Sequence, residues 1–245
     1  MCLLGLAEVA MARGRPADAV RALEEARGYT AEGVSANWGE TMRIPLGRAR
    51  AQSGDIDGAR TDLECGVRSA ERIGEHDDAA SGYVQLSEIA RRDGDLAGAR
   101  CLLERAREIV EPRQQRVDMA SVAASTYSKL GCIAEQEGDL AEAARWHARA
   151  IGTLAEITVS LLPSNPTMAT VVEGIAALSA ARGEHARAAE LLGLADMLQG
   201  FSNAASMEVI RAKAAIAAAV HDAAFEAAYA RGRGLDRSYT LAVTP

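Results

Sequence analysis

The chain has 245 residues, 49% of them apolar and only 4% aromatic, with a net charge of −7 and a pI near 5.3. That balance excludes a nucleic-acid surface spread over the whole chain. No stretch is long and apolar enough to span a membrane, and Met1–Ala12 lacks the basic start of an export signal. Alanine, leucine and arginine dominate, all strong helix formers, and no period-two run is long enough for a strand. The composition therefore predicts an all-α protein.

In chain order, the pattern predicts helices over 2–13, 16–28, 38–53, 56–73, 77–92, 95–111, 115–137, 139–158, 167–182 and 185–199. Loops are expected at Gly28–Gly39, Gly74–Asp78, Glu111–Gln115 and Val159–Pro166, with Pro112, Pro163 and Pro166 marking helix boundaries. Between helices the same turn returns. Ser53-Gly54-Asp55, Asp93-Gly94-Asp95 and Glu137-Gly138-Asp139 are near copies, and Arg13-Gly14-Arg15 and Arg182-Gly183-Glu184 are looser ones. The glycine supplies a positive φ where one helix stops, and the aspartate caps the next.

Set in register on Gly14, Gly54, Gly94, Gly138 and Gly183, the chain repeats every 40 to 45 residues. Eight residues before the glycine stand Leu6, Leu46, Leu86, Leu130 and Ile175. Seven before it stand the small residues Ala7, Gly47, Ser87, Gly131 and Ala176. Five after it stand Ala19, Ala59, Ala99, Ala143 and Ala188; nine after it stand Leu23, Leu63, Leu103, His147 and Leu192. Twelve after it stand Ala26, Gly66, Ala106, Ala150 and Ala195. Apolar residues three and four apart bury one helix face, and the small columns let helix axes approach.

These columns resemble the tetratricopeptide repeat, most closely at Tyr127, Leu130, Gly131, Gly138, Asp139, Ala143 and Ala150. The resemblance implies a right-handed superhelical solenoid of about five helix pairs over 1–199. The segment 200–245 departs from the repeat. It is expected to form capping helices of the same continuous domain, over 204–220 and 222–231 with Asp222 as a cap, and a short helix over 235–243.

Glu173-Gly174-Ile175-Ala176-Ala177-Leu178, Ala188-Ala189-Glu190-Leu191-Leu192-Gly193-Leu194-Ala195 and Phe225-Glu226-Ala227-Ala228-Tyr229-Ala230-Arg231-Gly232-Arg233 carry a second resemblance. They look like the C-terminal repeat region of actinobacterial regulators of the SARP, LuxR and STAND types. That resemblance implies the regulatory region of a transcriptional regulator, read here as a fragment, or a shortened relative whose upstream domains are missing or encoded separately. Tyr229 stands where those relatives carry tryptophan.

No chemistry is legible. There is no P-loop, Gly-x-Ser-x-Gly or His-Glu-x-x-His, and the cysteines Cys2, Cys65, Cys101 and Cys132 form no metal-ligand pattern, which fits a reducing cytoplasm. No catalytic residue, cofactor or metal is expected. His147, standing in a leucine column, is read as a structural core histidine. Asp77-Asp78 and Glu24-Glu25 read as solvated charge, and Arg91-Arg92 and Arg100 to Arg107 as surface ion pairing. By analogy with the repeat family, a concave groove is lined by the first helix of each repeat. Its candidates are Glu8, Arg48, Val84, Glu88, Arg91, Ser125, Ser128, Glu135, Gln136 and Glu173. A groove so polar and poor in aromatics suits a protein or peptide partner, or neighbouring domains of a larger regulator, without direct nucleic-acid contact. A homo-oligomer is compatible with this reading. The alternative is a stand-alone effector that binds a peptide or small molecule.

Overall fold

The computed structural model describes residues 3–31, 40, 42–113, 117–158, 166–204, 206–236, 243 and 245. Among them are twelve α-helices, one 3-10 turn and no strand. The chain divides into two compact units, Met1–Arg113 and Gln114–Pro245.

The first unit holds α1 (Leu3–Ala12), α2 (Pro16–Ala31), α3 (Arg43–Ser53), α4 (Ile56–Ile73), α5 (His76–Arg92) and α6 (Leu96–Val110), then the 3-10 turn Glu111–Arg113. Helices pair in sequence, α1 with α2, α3 with α4 and α5 with α6, and α3 also packs on α5. The second unit holds α7 (Val117–Gln136), α8 (Leu140–Thr158), α9 (Pro166–Ala181), α10 (His185–Gln199), α11 (Met207–Ala219) and α12 (Asp222–Arg233). Here α7 pairs with α8, α9 with α10, and α7 with α9. Helix α11 packs on α9 and α10, and α12 packs on α10.

The repeated turn has the physical form its residues predict. Gly14, Gly54, Gly94, Gly138 and Gly183 all have φ between 66° and 96°. In each case the next residue donates its N–H across the helix end, for example Asp55 to Arg50 at 3.0 Å and Asp139 to Ala134 at 2.9 Å. This closes the carbonyls left open at a helix C-terminus. The aspartates then cap the following helix, Asp55 accepting from Gly58, Asp95 from Gly98 and Asp139 from Glu142 at 2.7 Å. Gly74 makes the same turn between α4 and α5, so the loop expected there shrinks to Gly74 and Glu75. Glu184 supplies no side-chain cap to α10.

The columns form the core. Ala19, Ala59, Ala99, Ala143 and Ala188 are fully buried, as are Leu63, Leu103 and His147 from the column nine residues after the turn. Close approach explains the small column. A Cβ on Gly47 would lie 2.6 Å from Leu63 Cγ, and one on Gly131 would lie 2.8 Å from His147 Nε2. Leu6 departs from its column and is 36% exposed. Among the described glycines the tightest crossing lies in the tail. A Cβ on Gly232 would overlap the Glu190 carbonyl oxygen, and one on Gly193 the Tyr229 carbonyl oxygen, so α10 and α12 touch backbone to backbone.

Several boundaries differ from expectation. Helix α2 runs through Gly28 to Ala31. Asp222 is the first residue of α12 rather than its cap, a place taken by His221 without a side-chain bond. Most of the terminal helix expected over 235–243, the start of the helix expected at 38, and most of the loops around 28–39 and 159–166 lie outside the described residues, and 235, 236 and 243 are not helical.

Candidate binding faces of the two units

In the first unit, α1, α3 and α5 enclose a cavity of about 210 Å³. Its apolar wall comes from Leu4, Ala7, Met11, Leu23, Ile44 and Pro45. Its polar lining is Glu8, Arg48, Asp78, Ser81 and Gln85. Helical spacing sets this arrangement, since Asp78, Ser81 and Gln85 share one face of α5, and Leu4, Ala7, Glu8 and Met11 one face of α1. The Arg48 Nε is sealed from solvent and meets no acceptor. Burial lowers the pKa of its guanidinium, and the exposed Glu8 opposes that shift electrostatically without pairing to it. Asp78 is half-buried. Desolvation, helped by the charges of Asp77 and Glu75, raises its pKa to about 6, which corrects its reading as plain solvated charge.

Elsewhere in this unit the buried charges of Asp62 and Arg91 are matched. Asp62 is buried on α4 and accepts from Arg43 at 2.9 Å and Arg50 at 2.5 Å, both on α3. Arg91 corrects another expectation, because its side chain is wholly buried and pairs with Glu88 at 2.6 Å rather than lying on the surface. Arg105 and Arg107 do pair at the surface with neighbouring glutamates.

In the second unit the equivalent face is covered. Ser206 caps α11. From that helix Glu208 accepts from Lys129 Nζ at 3.2 Å, with both side chains buried. One turn on, Arg211 reaches Glu135 on α7 at 2.7 Å. The Asn203 amide donates to both oxygens of Glu173 on α9, at 3.2 and 3.3 Å. Glu173 is 1% exposed, and desolvation raises its pKa to about 7 against the hydrogen bonds and the Lys129 charge that lower it. Behind it His147 is fully buried between Gly131 and Gly174, its Nδ1 3.5 Å from Ser128 Oγ and its Nε2 unpartnered. Desolvation lowers its pKa to about 4.

The expected groove residues therefore fall into separate places. Glu8 and Arg48 meet at the cavity, Glu88 and Arg91 pair with each other, and Glu135 and Glu173 lie under the segment 203–211. Val84 and Ser128 are buried in the packing, while Ser125 and Gln136 are half-buried on α7. Sequence reasoning missed Asp78, Ser81 and Gln85, whose helical spacing was a usable signal. It also missed Lys129, Asn203, Glu208 and Arg211, for which only the rarity of lysine pointed anywhere. Among the described residues no group of histidine, cysteine and acidic side chains could hold a metal ion. No described helix is long and apolar enough to cross a membrane.

The fold is that of tetratricopeptide-like repeats. The chain is similar in structure to the Podosopora anserina putative kinesin light chain nearly identical TPR-like repeats. The TM-score is 0.51 at 19% identity, over 81% of this chain and 93% of that one. A single-substitution variant of that protein matches equally well. No protein-family model matches the chain, and neither does any curated protein.

Proposed function

We propose that this chain is a non-enzymatic helical-repeat interaction and sensor module, serving as the C-terminal regulatory region of a bacterial transcriptional regulator. The observation that carries the interaction reading is the face of α7 and α9, which already holds a helix by ion pairs, Lys129 to Glu208 and Glu135 to Arg211. Such a surface recognises a helical segment by charge placed at helical spacing, and charges of this kind set register and partner choice. The tetratricopeptide-like fold supports a role in protein recognition rather than catalysis. The regulatory context rests on the resemblance of residues 170–235 to the ends of actinobacterial SARP, LuxR and STAND regulators.

In this reading, partner binding competes with or reinforces the α11 contacts, and the outcome is passed to neighbouring domains. A cytoplasmic setting follows from that role. The reading is tested by the coding region that flanks this stretch, together with a promoter reporter. Upstream DNA- and nucleotide-binding domains, and a reporter response altered by Arg211→Glu, are the expected results. A flanking region without such domains would overturn the regulator context. The cavity at Arg48 favours the other reading, a stand-alone effector that binds a small molecule.

A further inference from the structure

We propose that the cavity between α1, α3 and α5 is a binding site for a small organic acid, whose carboxylate pairs with Arg48 and whose apolar body lies against Leu4, Met11, Ile44 and Pro45. The inference holds whether the chain is part of a regulator or acts alone.

A guanidinium presents five N–H donors and remains charged in proteins. Buried arginines are found paired, because an unpaired buried charge is costly. Three other arginines of α3 and α5 follow that rule, although the Nε of Arg91, like that of Arg48, is closed off without an acceptor. Arg43 and Arg50 share Asp62, and Arg91 holds Glu88. Arg48 is half-buried, its Nε is closed off from water without an acceptor, and it lines an open volume of about 210 Å³. Glu8 and Asp78 line the same cavity but neither is bonded to this guanidinium, which leaves its Nε open to an acceptor from a ligand.

The surroundings narrow its chemistry. A carboxylate suits the planar fork of arginine, and Ser81 and Gln85 can hydrogen-bond its second oxygen or a neighbouring hydroxyl. The opposing wall of leucine, methionine, isoleucine and proline takes a short apolar body. Glu8 at the rim and Asp78 on the wall disfavour ligands of high negative charge such as phosphate esters and select a single carboxylate.

The test is calorimetric titration of the full chain with hexanoate and with benzoate. Hexylammonium and hexanol serve as controls for charge and apolar burial, and a tripeptide with a free C-terminus tests peptide ends. Saturable binding of at least one of the two acids is expected, with no binding of hexylammonium. Arg48→Gln should weaken it about tenfold to a hundredfold, the range of a charged hydrogen-bonded contact. Glu8→Gln, an exposed position where misfolding is not at issue, should tighten it. Absence of saturable binding by both acids, equal binding by Arg48→Gln, or weaker binding by Glu8→Gln would each overturn the site. Binding of the tripeptide but of neither acid would overturn the small-acid assignment in favour of a peptide terminus.

Discussion

The two units use the same repeat columns but treat the polar face of their first helices differently. In Gln114–Pro245 the polar side chains of α7 and α9 are met by the tail, Lys129 by Glu208, Glu135 by Arg211 and Glu173 by Asn203. In Met1–Arg113 the face formed by α1, α3 and α5 ends in a cavity where the Nε of Arg48 meets no acceptor. The difference teaches that the columns fix how helices stack and leave the exposed face of the first helices free to be specialised. In one unit that face is closed by the chain itself. In the other it is left open to a ligand.

The largest expected effect comes from the buried acid on the closed face. The pKa of Glu173 is raised in the folded state to about 7, from an ordinary 4.5. Folded protein therefore holds a proton that unfolded chain releases, and stability falls as pH rises from about 4.5 to about 7. Glu173→Gln keeps an acceptor for Asn203 without the charge. It should stabilise the second unit at pH 8 by roughly 3 kcal/mol, at 1.36 kcal/mol per pH unit, as read by urea unfolding. His147 works with the other sign, because its pKa is lowered to about 4 and stability is lost as pH falls from 6.5 towards 4. The two slopes oppose each other between pH 4.5 and 6.5, so the wild-type profile should be flatter there than that of either variant. His147→Leu, which restores the leucine of its column, should remove the acid loss alone. A Glu173→Gln profile that tracks the wild type at every pH would break the account of this face.

The shared interior gives the next effect. Ala143→Leu in the second unit and Ala59→Leu in the first insert three carbons at fully buried positions. Each should cost about 1–3 kcal/mol by overpacking, and to a similar degree, since both alanines occupy the same column. An unchanged melting temperature in either variant would undo the common register. Smaller still are the caps. Asp139→Ala and Asp55→Ala each remove a side-chain bond to the start of the next helix, and each should cost about 1 kcal/mol. Equal losses would extend the likeness of the two units to their turns.

How much of this could be read in the residues follows from distance along the chain. The turns were legible, because Gly138 and Asp139 act on backbone groups within five residues of themselves. The core columns were legible because helical spacing is local and repeated, down to the approach of Gly131 to the helix carrying His147. The functional faces were only partly legible. Glu8 and Arg48 were singled out, yet their meeting with Asp78 and Gln85 depends on three helices packing together. Lys129 and Glu208 are 79 positions apart, and nothing in the tail's alanine-rich pattern announces that contact. Arg91 misled for a related reason. Its acidic neighbour at helical spacing looks the same whether the pair is solvated or, as here, closed over by packing.

The contrast between the units is tested most directly by removing one cation from each and measuring unfolding free energy in urea without added ligand. Lys129→Met removes the cation that pairs with buried Glu208 and should destabilise the second unit by about 3 kcal/mol. Arg48→Met removes a cation whose Nε no acceptor meets, and should leave the stability of the first unit unchanged or raise it by up to about 1 kcal/mol. Equal losses from both substitutions, or a larger loss from Arg48→Met, would contradict the claim that one face is internally satisfied and the other awaits its partner.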